Sequence, residues 1–497
     1  MIIEKKHSCC WGHLGRIIGL ILISYLQPAS ASGSANTIYF NATLIDPSTE
    51  TRVENGWLEV SGGKIVSLGK GVQPDSTHKV DLQDGFVIPG LIDAHMHITA
   101  GPLEVKLDGA TPSVSMASVD EVTRFHAQAA LSSGITSAFN PAGDPHANQS
   151  YAERQASGDW RGPELVYAGY TFDPIPIIGG SVYPQNKVEW REEVARQKAA
   201  GASHIKLYTG LAAEEVALGI RVAKAAELKT IGHLNNVSWQ FAVDSGIDAL
   251  SHALPTSPTL LPDTARDNYI EQLNPASAKF MYQWFEQVDY QSPKMQRLFV
   301  DLAAEKVQVD LTLLVNELMY FYPEYLKKPK LEAWEMHPLL IDTWLSNIGA
   351  SMHDWEKSDY ARAQAIFPKV LELLQHLHKH GVPLRIGADS YSGGSAFWRE
   401  LELHQLAGLN NWEILTMASA SAAESFGWFT RGRLAANYKA DFIVLEEDPI
   451  TSISAIRSVR HVVQAGRHFR VKELRDELTC WAQKFSDEAL LCNRASN

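Results

Sequence analysis

The sequence has little cysteine, no excess of basic residues and no long apolar run beyond its N-terminus, and each scarcity argues against a class of protein. Only four cysteines occur among 497 residues, and all lie near the two termini, so a cysteine nucleophile is not expected. The formal net charge of −13 argues against a nucleic-acid binder, which usually carries a basic face. After the first 31 residues, nothing is long and apolar enough to cross a membrane.

The N-terminal segment has the order of a secretory signal peptide. Two lysines and Arg16 precede the apolar run 17–26, and the small residues PASA follow at 28–31. This order predicts a signal peptide over residues 1–31 that is cleaved near Ala31. An uncleaved anchor is the alternative, although a run of about ten residues is short beside the roughly 20 that a span needs. We therefore expect an exported protein, periplasmic or secreted, without a stable membrane anchor after cleavage.

The C-terminal tail, residues 476–497, contains the two cysteines that remain after cleavage, Cys480 and Cys492. In an oxidising compartment this pair is compatible with a disulfide that closes the tail. Two free thiols on a terminal helix are the alternative.

Two patches of short strands and Gly or Asn turns lie at 32–86 and 428–475, and they predict one small β-sandwich domain built from both termini. Between them, over 87–427, apolar runs alternate with amphipathic helical patterns, which indicates parallel βα units. Eight such units predict an α/β protein with a TIM (β/α)8 barrel. The eight runs are 86–93, 134–140, 164–172, 204–210, 229–234, 248–253, 307–314 and 382–390.

Six metal-capable residues end five of these runs. They are His95, His97, Lys206, His233, His252 and Asp389. Side chains alternate along a strand, so His95 and His97 point the same way, and two neutral imidazoles suit a divalent ion such as zinc. Because barrel chemistry is found at the C-terminal ends of the strands, all six are expected at one mouth.

This pattern resembles the amidohydrolase superfamily, specifically its binuclear branch with a carboxylated lysine, and is nearest to imidazolonepropionase-like and prolidase-like members. The resemblance rests on the order of the six residues, on PGLIDAHMH, and on YKADFIVLEEDP. It implies that His95, His97 and Asp389 hold one metal ion and that His233 and His252 hold the other. Lys206 would bridge the two ions as a carbamate derived from carbon dioxide.

The resemblance implies metal-assisted hydrolysis of a C–N bond in a small-molecule substrate such as a dipeptide, an N-acyl amino acid or a cyclic amide. Two ions, with zinc the expected metal, lower the pKa of water to about 7, and Asp389 can pass its proton to the leaving amine. Hydrolysis of an ester, lactone or phosphotriester uses the same chemistry and stays open. A non-catalytic barrel that acts as a binding or assembly protein is the third alternative. A homo-oligomer is compatible with each of these functions.

Several other residues have both a functional and a structural interpretation. Tyr208 shares the strand face of Lys206 and is predicted to bind a substrate carbonyl or carboxylate, with a packed barrel tyrosine as the alternative. His204 is predicted to be an interior histidine, and Asp93 a residue that orients a ligand. Arg399 could bind a substrate carboxylate or pack at a helix start. His146 is predicted to lie in a loop, and the cluster His376, His378 and His380 on a solvated helix face.

The connections 254–306 and 315–381 are long and rich in aromatic residues. Insertions at this end of a barrel commonly shape or cover the pocket, so a partly apolar lid is one prediction. Helix packing against the barrel, or a subunit contact, is the other.

Overall fold

The computed structural model of the protein describes residues 36–108, 111–174, 180–274 and 277–495. The predicted signal peptide, residues 1–31, lies outside the described residues. Within the described ranges, no helix is both long enough and apolar enough to span a membrane.

The strands fall into a mixed sheet, a parallel sheet and a hairpin. In chain order they are β1 Thr37–Asp46, β2 Thr51–Ser61, β3 Lys64–Lys70, β4 His78–Pro89, β5 Leu91–Asp93, β6 Leu103–Asp108, β7 Thr111–Met116, β8 Ile135–Asn140, β9 Glu164–Phe172, β10 Ser181–Val182, β11 His204–Leu207, β12 Lys229–Gly232, β13 Ala249–Ser251, β14 Gln308–Asp310, β15 Phe442–Leu445, β16 Val459–Gln464 and β17 Arg467–Arg470.

The helices lie mainly between the strands of the parallel sheet and in the long connections that follow it. They are α1 Asp120–Ser132, α2 Pro145–Ser157, α3 Lys187–Ala199, α4 Ala213–Ala225, α5 Trp239–Asp244, α6 Asp263–Gln272, α7 Phe280–Gln287, α8 Pro293–Ala304, α9 Leu313–Tyr320, α10 Tyr322–Tyr325, α11 Pro338–Ile341, α12 Trp344–Ala350, α13 Lys357–Lys379, α14 Ser395–Leu406, α15 Asn411–Thr416, α16 Ala422–Ser425 and α17 Val471–Ala495.

Local sequence explains where many helices begin. Asp144 accepts hydrogen bonds from the first backbone N–H groups of α2, and Asn186 and Ser238 do the same for α3 and α5. Such side chains satisfy donors that have no partner within the helix. Ser292 caps α8, whose first residue, Pro293, has a backbone dihedral already suited to a helix.

Both chain termini contribute to the seven-stranded mixed sheet, whose order is β17-β16-β15-β4-β1-β2-β3. The two terminal patches therefore share one sheet, as their patterns indicated. The described ladders connect these strands into a single sheet rather than into the two facing sheets of the predicted sandwich. Its apolar core includes Tyr39, Leu58 and Phe442, drawn from both ends of the chain.

Seven parallel strands form the second, curled sheet in the order β5-β8-β9-β11-β12-β13-β14, with β10 paired beside β9. The segment 383–390 lies between the two edges of this sheet. It bonds to β14 through Val309 N to Pro383 O at 2.9 Å, and to the chain after β5 through Asp389 N to His95 O at 2.8 Å. This is the arrangement of a TIM-like barrel with a separate sheet.

Two of the predicted runs divide at a change of structure. In the first run, Phe86 to Pro89 belong to β4 of the mixed sheet, and only Leu91–Asp93 enter the parallel sheet. In the seventh run, β14 ends at Asp310, and α9 begins at Leu313. An apolar run alone does not locate such a change, because buried strands and buried helix starts have the same composition.

Several aromatic residues of the two long connections lie in the protein core, and the others are partly buried. Tyr282 and Trp284 are buried on α7, and the Tyr282 hydroxyl donates to Asp359 on α13 at 2.6 Å. Tyr320 is buried on α9 and donates to the Met281 carbonyl at 3.0 Å. These contacts favour helix packing over the predicted apolar lid.

The C-terminal tail is helical, and its geometry contradicts the disulfide interpretation. Cys480 is a free, exposed thiol. Cys480 and Cys492 both lie on α17, twelve residues apart. At the helical rise of about 1.5 Å per residue their Cα atoms are roughly 18 Å apart, whereas a disulfide requires less than about 7 Å.

Candidate metal centre

The structure brings the six metal-capable residues together at the C-terminal end of the parallel sheet. Ligand atoms of His95, His252 and Asp389 lie within 4.8 Å of one another. His97 Nε2 lies 3.1 Å from Asp389 Oδ1, and the ring centroids of His233 and His252 are 4.1 Å apart. Residues separated by nearly 300 positions thus meet because parallel strands end at one edge.

Lys206 lies near this group, close enough to affect the pKa values of His95, His233 and His252. Its side chain is buried, and its ammonium donates to Ser251 Oγ at 3.3 Å. Burial lowers the pKa of Lys206 to about 8, although Asp310 and Asp389 favour the charged form. A lysine of this kind supplies neutral amine near physiological pH, which is the form that captures carbon dioxide.

Burial favours the neutral form of the buried histidines, which is the form that metal binding requires. Burial lowers the pKa of His95, and burial together with neighbouring groups brings the pKa values of His233 and His252 well below their usual value. His233 Nδ1 is buried and has no hydrogen-bond partner within the described structure. A buried ring nitrogen without a partner, on a histidine packed against His252, fits a divalent cation such as zinc.

Asp389 is the acidic member of the cluster. Burial alone would raise its pKa, but His95 and His97 outweigh that effect and keep the pKa well below its usual value. The residue therefore remains a carboxylate, which can bind a metal or accept a proton. It has a backbone φ of 52°, and His252 has a φ of 70°. Non-glycine residues in this left-handed region concentrate at functional sites.

Tyr208 follows β11, and its ring centroid lies 4.7 Å from that of His233. Burial, and then the charge of Asp389, raise the pKa of Tyr208, so its hydroxyl stays protonated. The hydroxyl can therefore donate a hydrogen bond but cannot act as a base at neutral pH. Tyr391, two residues after Asp389, has its pKa raised for the same two reasons.

The other candidate residues, Asp93, His204 and Arg399, make structural contacts instead of joining the cluster. Asp93 accepts the backbone N–H groups of His95 at 3.0 Å and Ala388 at 3.2 Å, so it orients the chain rather than an imidazole. His204 is buried against Phe139, as expected of an interior histidine. Arg399 donates to both oxygens of Glu317 and to Glu402, which favours its packing role.

The remaining histidines have structural partners or face solvent. His146 is exposed in the first turn of α2 instead of in a loop. His376, His378 and His380 are half-buried near the end of α13, where they bond to Glu372, Glu413 and Gln296 respectively. Their helix face is therefore packed rather than fully solvated.

Four residues around the cluster were not singled out from the sequence: Asp310, Thr312, Arg385 and Glu400. All four are buried. Asp310 is the lone charge in the apolar run VQVDLTLL, and Arg385 is a charged residue in the middle of the apolar start of VPLRIGADS, so that contrast was a readable signal. The sequence offered no comparable signal for Thr312 or Glu400.

Comparison with known proteins identifies the family. The chain belongs to the amidohydrolase family, whose model matches residues 86–249 and 330–468, more than half of the chain. The cluster and the TIM-like barrel thus occur in a protein of a hydrolase class.

Sequence relatives are matched over short segments. The chain is 47% identical over 58 residues to a dihydroorotase from Methanothermobacter thermautotrophicus, which is 12% of this chain and 13% of that protein. It is 30% identical over 139 residues to an ochratoxinase from Aspergillus niger, which is 26% of this chain and 28% of that protein. The matched segments therefore span well under a third of each relative.

Solved structures are matched over most of their length. A Xaa-Pro dipeptidase with bound methionine aligns with a TM-score of 0.62 at 17% identity, over 88% of this chain and 100% of that chain. The A. niger ochratoxinase aligns with a TM-score of 0.61 at 19% identity, over 88% and 96%. At these identities the likeness establishes the fold.

Proposed function

We propose that this protein is an exported hydrolase that uses two divalent metal ions, zinc as the expected metal, to cleave an amide or peptide C–N bond. The observation that carries the proposal is the approach of ligand atoms of His95, His252 and Asp389 to within 4.8 Å, with the buried Lys206 near them. His95, His97 and Asp389 would hold one ion, and His233 and His252 the other. Lys206, as a carbamate, would bridge them.

Bound divalent ions would act as Lewis acids. They would lower the pKa of water, so that it could lose a proton near neutral pH and attack as hydroxide, and they would polarise the substrate carbonyl. Asp389 is the residue placed to accept a proton from the attacking water and to return it to the leaving nitrogen. Because its pKa is held low, Asp389 begins the reaction as a base. The Tyr208 hydroxyl, which stays protonated, donates a hydrogen bond to a substrate carbonyl or carboxylate oxygen.

Two features support an amide substrate. The family is that of amidohydrolases. Among the structural neighbours, the Xaa-Pro dipeptidase acts by its name on a dipeptide. We therefore infer that dipeptides and N-acyl amino acids are the first substrates to test, with cyclic amides next.

The test combines metal analysis of the purified protein with a substrate screen. Reconstitution with zinc and bicarbonate should give about two ions per chain and turnover of a dipeptide or N-acyl amino acid. If esters, lactones or phosphotriesters are hydrolysed and no amide is, the bond that the enzyme cleaves is not a C–N bond. Fewer than about one ion per chain, with no turnover of either class, would contradict the proposal.

A further inference from the structure

The end of β14 reaches two histidines of the candidate metal centre without itself contributing a ligand to it. Asp310 Oδ1 lies 2.7 Å from His95 Nδ1, and Thr312 Oγ1 lies 2.8 Å from His252 Nδ1. The two contacts involve different histidines, which are assigned to different ions in the proposed function. Both Asp310 and Thr312 are fully buried, so water does not compete for either contact.

Asp310 is fixed by a buried cation. Its second oxygen, Oδ2, accepts from Arg385 Nε at 3.3 Å and from Arg385 Nη2 at 3.1 Å. The Arg385 guanidinium in turn lies over the rings of Phe139 and Phe426, at 5.4 Å and 4.9 Å from their centroids. Asp310 therefore presents a carboxylate oxygen to His95 in one orientation.

Thr312 is fixed by its backbone. Its φ of 42° is unusual for a β-branched residue, and such a conformation persists only where the surrounding structure holds it. The surrounding structure here is Glu400, whose two side-chain carboxyl oxygens accept the backbone N–H groups of Leu313 at 2.9 Å and Leu314 at 2.7 Å. Glu400 thereby anchors the start of α9 directly after Thr312.

These contacts influence which imidazole nitrogen keeps a lone pair that can bind a metal ion. A carboxylate only accepts hydrogen bonds, so Asp310 places the proton of His95 on Nδ1 and leaves the lone pair on Nε2. That Nε2 lies 3.5 Å from Asp389 Oδ1, within the cluster. The Thr312 hydroxyl can accept from His252 Nδ1, a nitrogen that also lies 3.8 Å from Asp389 Oδ2. That hydrogen bond holds the ring in place and leaves the lone pair on Nε2.

We propose that Asp310 and Thr312 are positioning residues for the two metal ions, Asp310 for the ion at His95 and His97 and Thr312 for the ion at His233 and His252. This inference rests on the binuclear centre of the proposed function. It adds that one strand end orients a ligand of each ion, with Arg385 and Glu400 holding the two orienting groups. Outer groups of this kind tune metal affinity because they fix the tautomer and direction of the ligand.

The experiment measures zinc affinity of each site by competition with a chelator, and records the visible spectrum of the cobalt-substituted full-length protein. The variants are Asp310→Asn, Thr312→Val, which keeps the shape but removes the hydroxyl, and Thr312→Ser, which restores it. Two matched controls remove buried groups elsewhere. Asp441→Asn alters a carboxylate that accepts from Ala465 N, and Thr230→Val alters a hydroxyl that donates to Asp248.

We expect Asp310→Asn to weaken one ion by about 10- to 100-fold and to leave the other within about threefold, and Thr312→Val to do the reverse. The cobalt spectrum should change in both variants, and Thr312→Ser and the two controls should match the wild type. Should Asp310→Asn not fold because Arg385 is left unpaired, the double variant Asp310→Leu/Arg385→Met removes both charges and should give the same selective loss.

The two proposals fail in different ways. Wild-type protein that binds two ions, with unchanged affinities and spectra in Asp310→Asn and Thr312→Val, would overturn the positioning roles and leave the proposed function standing. An equal loss of zinc affinity in Thr312→Ser and Thr312→Val would also overturn the role of the hydroxyl. Wild-type protein that binds fewer than about one ion would instead contradict the proposed function.

Discussion

The Asp310 carboxylate and the His95 imidazole form a buried hydrogen bond of 2.7 Å between Oδ1 and Nδ1. Asp310 ends β14, His95 follows β5, and Arg385, which contacts the other Asp310 oxygen, lies in the segment between these two strands. The bond therefore joins the two edges of the parallel sheet through side chains, next to the place where the backbone joins them. Placement of the candidate metal ligands and closure of the sheet depend on the same residues.

Replacing Asp389 with asparagine separates metal binding from proton transfer. The amide keeps the size of the side chain but cannot accept and return a proton, so kcat should fall by about 10²- to 10⁴-fold while much of the metal is retained. Steady-state kinetics alongside metal content measures both quantities. Near-normal turnover of Asp389→Asn would remove Asp389 from its proposed role.

Replacing Lys206 with methionine should remove the bridging carbamate while filling the buried space. Metal content is expected to fall from about two ions to at most one per chain and to lose its dependence on bicarbonate. Lys229→Met is the matched control, since Lys229 begins the next strand at the opposite end and donates to the Ser425 carbonyl. Equal metal content in the two variants would argue against the bridge.

The raised pKa of the buried Glu400 side chain leads us to expect that the stability of the protein depends on pH. Burial raises the pKa of its carboxyl to about 8 from an ordinary 4.5, against the opposing effect of two backbone donors. Between these values the folded protein holds a proton that the unfolded chain releases, so the free energy of unfolding decreases as the pH rises. The stabilisation by protonated Glu400 is fully present below about pH 4.5, and it is lost as the pH rises past 8.

The measurement compares denaturant unfolding of the wild type and Glu400→Gln between pH 5 and 9. The difference in free energy of unfolding between the two proteins should change by about 2–4 kcal/mol over this range. Glu424→Gln, at an exposed carboxylate, should follow the wild type. Parallel curves for the wild type and Glu400→Gln would show that Glu400 does not titrate in this way.

Gly387 allows the segment 383–390 to approach His95. A methyl group on Gly387 would lie 2.4 Å from His95 Cβ and 2.6 Å from His95 N, and the backbone atom cannot move aside cheaply. Gly387→Ala should lower the free energy of unfolding by about 1–3 kcal/mol and weaken zinc binding. Thermal unfolding and chelator competition measure the two effects, and wild-type values for both would disprove the close packing.

The sequence was sufficient to predict the six metal-capable residues as one group, because strand ends in a parallel barrel converge whatever their separation in sequence. It could not place the boundary between β4 and β5, since the last residues of β4, Val87 to Pro89, and the whole of β5 are buried and largely apolar. Nor could it predict that Thr312 adopts a left-handed backbone and contacts His252, because that geometry depends on Glu400, 88 residues further along the chain.

The passage from β4 to β5 bears on how the protein can be shortened. β4 is the central strand of the mixed sheet, and a single residue, Gly90, separates it from the strand that leads to His95 and His97. A cut between residues 86 and 87, where composition suggests a boundary, would divide that central strand. A fragment begun at residue 87 would keep Val87 to Pro89, which pair with β15, but it would lose β1, which pairs with the other side of β4. The barrel and the terminal sheet are therefore joined through one strand that such a cut would leave without a partner on one side.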